Sequence, residues 1–291
     1  MKKKKVHAFD VIVFLISLML LVIVLYPLIL VISNSLSDPT LVSTGKVLLF
    51  PKGINLAGYE AVFKNKDIMM GYANTAFYTV AGTIVNLIVT LPAGYAFTKK
   101  TLPGNGIIMK LFMFTMYFGG GLVPTFLIIN SLGLYNTRAV MLVSGAFSVY
   151  NCIICRSFFD GIPKELEEAA EMDGSSPIGT FIKIVMPISK ALVGVMVLYF
   201  GVGHWNSYFT AMIYLKDTEK QTLQLVLRRI LVLAQQAANG ELEGDYAMTV
   251  LEREALLRYA VIVVASLPLM IIYPFLQKYF DKGVLIGSVK G

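Results

Sequence analysis

Charged residues are scarce in this chain. Only 15% of its 291 residues are Asp, Glu, Lys or Arg, against about 25% in a soluble domain. Hydrophobic residues make up 56%, and the mean hydropathy is +0.71. A water-soluble domain of this length needs more polar surface, so the composition points to a polytopic membrane protein. Cysteine is nearly missing too, with Cys152 and Cys155 the only two. They form one C-x-x-C, which reads either as a redox or metal pair or as two small apolar residues within a span. No second cysteine pair exists, and His7 and His204 lie far off in sequence, so a four-ligand zinc centre has no support. No G-x-x-x-x-G-K-[ST], H-E-x-x-H or G-x-S-x-G occurs, so neither an energy source nor an active site is recognisable. A basic stripe interleaved with aromatics is also missing, which leaves a nucleic-acid role unsupported.

Long apolar runs are what the chain has instead. Charge-free stretches cover 11–37, 68–98, 111–137, 139–155, 191–215 and 259–277. Each is close to or above the ~20 residues that a helix needs to cross a bilayer, the fourth and sixth being the shortest. Nothing alternates as barrel strands would, and helices satisfy their own backbone in lipid, so the expected fold class is all-α with six transmembrane helices. The first apolar run is longer than the ~7–15 residues of a signal peptide core, and no small-x-small cleavage site follows, so it reads as a retained anchor. Six spans put both termini on one side. Lysines at 2–5 flank the first span, and Lys99, Lys100 and Lys110 flank the second and third, which makes that side cytoplasmic.

No ionisable Asp, Glu, Lys or Arg falls inside the six stretches. Proton-coupled carriers keep such groups at the midplane, so this absence argues against one; a channel, or a sodium site built from carbonyls, stays open. Glycine and proline interrupt several spans: Gly119, Gly120, Gly121 and Pro124 in the third, Pro92 in the second, Gly201 and Gly203 in the fifth, Pro268 and Pro274 in the sixth. These breaks read either as a flexible translocation path or as close helix packing through small residues. Trp205, Asn206 and Tyr208, with Asn74, Tyr78 and Asn86, are the candidate polar and aromatic lining of a substrate path. The segments 38–67 and 216–258 are the longer outer loops. Within the latter, Leu223, Val226, Leu227, Ile230, Leu231 and Ala234 have helical spacing. Arg228 and Arg229 would each cost about 2.5–3.5 kcal/mol at mid-bilayer, so this is a surface helix. It reads as a lid that meets an extracellular solute-binding protein, or as packing over neighbouring spans.

One polar island stands between spans four and five: EEAAEMDGSSPIGTFIKIVMP, residues 167–187. Pro163 suits a helix start, residues 164–172 are strong helix formers, and Gly174 suits a left-handed stop. Ser176 and Pro177 then suit the cap and first turn of a second helix. The result is two short helices hinged at a glycine. Four glutamates at 165, 167, 168 and 171 argue against a resting place on an anionic membrane surface, and small alanines allow close approach, so the hairpin reads as a docking element.

Here the sequence resembles a known family. Glu168-Ala169-Ala170, Gly174, Ile184, Met186 and Pro187 are similar to the E-A-A-x-x-x-G-x9-I-x-L-P loop of binding-protein-dependent ABC importer permeases, with Met186 in place of the usual Leu. The run GGLVPTF at 120–126, followed by SLGLYNT at 131–137, and the tail YPFLQKYF at 273–280 ending GSVKG resemble carbohydrate permeases of the maltose-permease kind. Oligosaccharide permeases of the LplC-like and YtcP-like kind are more similar still. The resemblance implies an ABC importer type I (MetI-like) permease fold. It implies an N-terminal tail and first helix at 1–37, an ABC transmembrane type-1 domain at 72–277 and a cytoplasmic tail at 278–291. Within that domain lie the coupling loop, 156–190, and the extracellular loop, 216–258. It implies that Glu168, Ala169, Ala170, Asp173 and Gly174 dock an ATPase subunit and that Gly287, Ser288, Val289, Lys290 and Gly291 reach the ATPases. It implies as partners a second homologous permease, two ATP-binding subunits and an extracellular solute-binding protein. ATP and Mg would then sit on the ATP-binding subunits, with no cofactor on this chain, and transport would proceed by alternating access across a bacterial cytoplasmic membrane. The rival readings are a stand-alone channel or secondary transporter, a membrane scaffold or sensor, and an ABC permease for a non-sugar solute.

Overall fold

A computed structural model describes residues 8–241 and 244–288 of the chain, and all its regular structure among these is helical. The chain opens with α1 (Ala8–Ser35), α2 (Pro39–Ser43) and α3 (Ala57–Lys64). Then come α4 (Lys66–Ala96), α5 (Asn105–Tyr117), α6 (Leu122–Ser131), α7 (Arg138–Val143) and α8 (Val149–Phe159). The polar island holds α9 (Lys164–Met172), α10 (Pro177–Thr180), a π-helical turn (Phe181–Val185) and α11 (Met186–Ile188). After it follow α12 (Lys190–Trp205), α13 (Phe209–Tyr214), α14 (Leu223–Ala238) and α15 (Gly244–Ser288).

The six apolar stretches are realised in two ways. Three are single helices long and apolar enough to cross a membrane: Phe9–Ser35, Lys66–Ala96 and Leu257–Pro274. The others are broken. The third stretch is α5 and α6, bent by 115° around Phe118 and the three glycines, of which Gly121 has φ +86°. The fourth is the pair α7 and α8, with irregular backbone at 144–148, and the fifth is α12 followed by α13. α15 continues through Pro274 to Ser288, and 216–258 is mostly α14, where helical spacing was expected, and the start of α15. Proline at 268 and 274 is tolerated where neighbouring groups satisfy the freed carbonyls.

The chain divides into two compact units. One comprises the chain up to Met69 with Leu227–Leu267; the other comprises Met70–Val226 and the chain from Pro268. In the first, α1 is exposed from 9 to 29, as a lipid-facing helix with apolar residues all round should be. Its C-terminal end is tied down by hydroxyls: Ser33 donates to the Leu49 carbonyl at 2.6 Å, and Ser37 accepts from the Lys52 amide at 3.0 Å. Asp67 pairs with Arg229 at 2.9 Å, which agrees with a surface position for α14.

In the second unit α4 is the central helix. Its C-terminal half packs Leu91 and Tyr95 against Cys155, Phe159, Val185 and Met196. Both cysteines are unpaired and buried, in keeping with small core residues. Gly94 makes this packing possible, because a Cβ there would lie 2.6 Å from Cys155 Cβ and 3.3 Å from the Arg156 amide. Overpacking of this kind typically costs about 1–3 kcal/mol. Gly94→Val is therefore expected to lower the thermal unfolding midpoint of the detergent-solubilised protein, and an unchanged midpoint would contradict this packing.

Candidate functional site

The hairpin is built as its residue types dictate. α9 ends in a Schellman motif: the Gly174 amide donates to the Glu171 carbonyl at 3.0 Å and the Ser175 amide to Ala170 at 2.9 Å. Gly174 takes φ +78°, the left-handed geometry that this closure needs. A Cβ on Gly174 would meet nothing within 4 Å, so the demand for glycine is conformational. Ser176 Oγ accepts from the Gly179 amide at 3.1 Å, and Pro177 opens α10. The chain then passes through the π turn, where Met186 N donates to the Phe181 carbonyl. Past Pro187 it enters α12 with a bend of 85°.

Exposure sorts the hairpin into two faces. Glu168, Ala169, Asp173 and Gly174 are exposed. Ala170 is not: at 5% exposure it packs within its own chain, which corrects the expectation that it offers docking surface. Two apolar side chains without a place in the E-A-A pattern stand out instead, Met172 at 88% exposure and Ile178 at 72%. Their exposure beside the charged face suits contact with another protein. No sequence signal singles out Met172, because a methionine ending a short helix is equally suited to a core.

Glu167 is the glutamate turned toward its own chain. It forms an ion pair with Lys99, just beyond the end of α4, and the two side chains are only 19% and 29% exposed. The Lys99 ammonium lies over the Tyr95 ring, 4.4 Å from its centroid. Burial works against the charge on Lys99, but the bonds to Glu167 and Tyr95 outweigh it, so its pKa is raised and the ammonium is held charged. Tyr95 in turn stacks on Phe181 with centroids 5.1 Å apart and meets Phe159 edge-on at 5.9 Å.

The six candidate path residues separate into two groups. Asn74 Nδ2 donates to the Glu219 and Gln221 carbonyls at 2.7 and 3.1 Å, and its Oδ1 accepts from Arg138 at 3.3 Å. Tyr78, fully buried, donates to the Lys220 carbonyl at 2.8 Å. Asn86 Nδ2 donates to the Gly145 carbonyl at 2.5 Å, and its Oδ1 accepts from His204 Nε2 at 2.7 Å. These three bind backbone of this chain rather than facing an open path, which changes their expected role. Gly82 belongs with them, since a Cβ there would overlap the His204 ring. The other three differ. Trp205 is buried, edge-on to Tyr72 at 5.5 Å, and lines a cavity of about 480 Å³ with Thr79, Thr83, Gly201 and Pro268. Asn206 and Tyr208 are exposed. The cavity wall is apolar apart from the two threonines and the aromatic ring edges, poor in the amide donors that hold sugars. Of the tail residues, Gly287 and Ser288 end α15, while Val289, Lys290 and Gly291 lie outside the described residues.

Comparisons with known proteins agree with this geometry. The family model described as "Binding-protein-dependent transport system inner membrane component" matches residues 68–286. Protein LplC of Bacillus subtilis is 38% identical over 269 residues, 92% of this chain and 90% of that protein. The polygalacturonan/rhamnogalacturonan transport system permease protein YtcP of the same organism is 36% identical over 287 residues, 99% of this chain and 100% of that protein. A bacterial ABC transporter involved in the import of the acidic polysaccharide alginate, solved by crystallography, contains a chain that is 32% identical with a TM-score of 0.85. That match covers 96% of this chain and all of that one. With a family match across most of its length and relatives aligned end to end, the chain belongs to the binding-protein-dependent transport system inner membrane components, the permease subunits of ABC importers.

Proposed function

We propose that this chain is one of two permeases in an ATP-driven importer that carries an oligosaccharide into the cell by alternating access. The observation that carries this reading is the hairpin 164–188, folded around a left-handed Gly174 with Glu168, Ala169, Met172 and Asp173 turned outward. Two ATP-binding subunits supply the work, with ATP and Mg bound on them and none on this chain. Glu168, Ala169, Asp173 and Gly174 dock one of these subunits, with Met172 as the apolar contact at the tip. The end of the chain, Gly287 to Gly291, reaches the same subunits. A rigid closed turn suits this task, because the docked helix must be pulled as well as pushed. The hairpin and both termini then face the cytoplasm, and α14 lies on the outer side, where a solute-binding protein delivers cargo.

Carbohydrate cargo is supported by the relatives, two of which are named for polymers of sugar acids. The apolar wall around Trp205 supports a division of labour in which the second permease makes most of the sugar contacts. Exposed Asn206 and Tyr208 are this chain's contribution to the path.

Two expectations follow. In the Glu168→Lys, Ala169→Arg variant, the ATPase subunit that co-purifies from native membranes should fall at least about tenfold, equivalent to 1.4 kcal/mol of binding. If no ATPase accompanies the wild type in gentle detergent, a stand-alone channel or carrier takes the place of the importer. At Gly174 the left-handed geometry costs a residue with a Cβ roughly 1–2 kcal/mol, and Asn tolerates it best. Oligosaccharide uptake should therefore drop in Gly174→Val and be largely retained in Gly174→Asn; equal uptake in both would remove the conformational role of this glycine.

A further inference from the structure

The hairpin's covalent attachments run to α8 through 160–163 and to α12 through the π turn. Neither connects it to α4, the helix that organises the second unit. The link to α4 is made by side chains. Lys99 stands three residues beyond the end of α4, and its backbone is fixed on both sides: its amide donates to the Ala96 carbonyl at 3.1 Å, and its carbonyl accepts from Asn105 Nδ2, on α5, at 3.0 Å. From this anchored position the ammonium crosses the Tyr95 ring to reach Glu167. The second limb of the hairpin does not close tightly on α4. A cavity of about 440 Å³ lies there, lined by Pro92, Tyr95, Lys99, Leu102, Pro177 and Ile178. On this side the connection is made by the ion pair and the Tyr95–Phe181 stack beneath it, beside the apolar packing of Val185 against Leu91 and Tyr95.

We infer that Lys99 and Glu167 form a latch that makes α4 move with the hairpin, so that both are positioning residues for the coupling of ATP hydrolysis to transport. The physical case rests on burial and geometry. Freely exposed ion pairs contribute little because water screens them and long side chains lose entropy. This pair is largely shielded, one partner is held by two backbone bonds, and an aromatic face orients its ammonium. Removing either partner leaves the other charge half-buried without its counter-ion, which is the costly case. Glu168, the neighbouring glutamate, faces outward to the ATPase, so adjacent residues on α9 hold the two ends of one path: outward to the motor, inward to the span.

This inference rests on the importer reading and is tested in the assembled complex of both permeases, ATPases and binding protein in proteoliposomes. The quantity read is cargo transported per ATP hydrolysed. Lys99→Glu and Glu167→Lys should each lower it by at least about fivefold, the lower end of the usual range for coupling between sites. The charge-swapped pair Lys99→Glu/Glu167→Lys should recover to within about twofold of wild type, which a merely structural defect at either position would not do. Should the reversals fail to assemble, Glu167→Gln, which keeps the shape and removes the charge, gives the reading: a lowered ratio supports the latch. Single variants with a wild-type ratio, an assembled swap no better than the singles, or a wild-type ratio in Glu167→Gln would overturn it. A wild-type chain that brings down no ATPase would instead overturn the importer reading itself.

Discussion

A peptide amide or carbonyl inside a bilayer has no water to bond, so every break in a spanning helix must be closed by the protein itself. In this chain α4 meets part of that requirement. Asn74, Tyr78, Gly82 and Asn86 recur every fourth residue and so form one stripe on the helix. From that stripe Asn74 and Tyr78 bind the carbonyls of 219–221, and Asn86 binds Gly145 in the gap between α7 and α8. Thr75, one residue over, accepts from the Leu223 amide at 2.8 Å. The irregular backbone at 145 and at 219–221 is thereby pinned to one long helix. Leaving such a buried group unpaired costs about 1–3 kcal/mol, so these contacts stabilise the irregular backbone that they reach.

The same helix carries the link to the hairpin. At its C-terminal end lie Tyr95 and Lys99, and through them Phe181, Phe159 and Glu167. A docking element on a flexible loop would absorb a push without passing it on. Here the loop is closed by a Schellman turn, capped by Ser176, stiffened by Pro177 and Pro187 and clamped to α4. Structure of this kind transmits displacement in both directions, which alternating access requires. Permanent glycine breaks at 119–121, where added Cβ atoms at Gly119 and Gly120 would meet nothing, keep the third span bent without packing strain.

Much of this was legible from residues alone, and the exceptions have physical causes. Apolar run length revealed the spans, and the pattern of proline, serine and glycine revealed both limbs of the hairpin and its left-handed hinge. The role of Asn74, Tyr78 and Asn86 was not legible, because a polar side chain in a span serves a solute path and a broken backbone equally well. Only the positions of the 145 and 219–221 carbonyls decide between them. Ala170 and Glu167 were misplaced or overlooked for a related reason. On a helix as short as α9, acidic residues occupy most of the circumference, and periodicity does not say which glutamate turns inward. The helical course of α15 from 278 to Ser288 was hidden because the charged residues that end the apolar run read as a tail.

The central claim is that α9 meets an ATPase with one face and its own chain with the other. Photo-cross-linking from single positions in the assembled importer tests this most directly. A photoreactive residue at 168 or 172 should cross-link to the ATP-binding subunit, and one at 170 should cross-link within this chain. Equal capture of the ATPase from 168, 170 and 172, or capture from none of them, would contradict the two-faced hairpin on which the account depends.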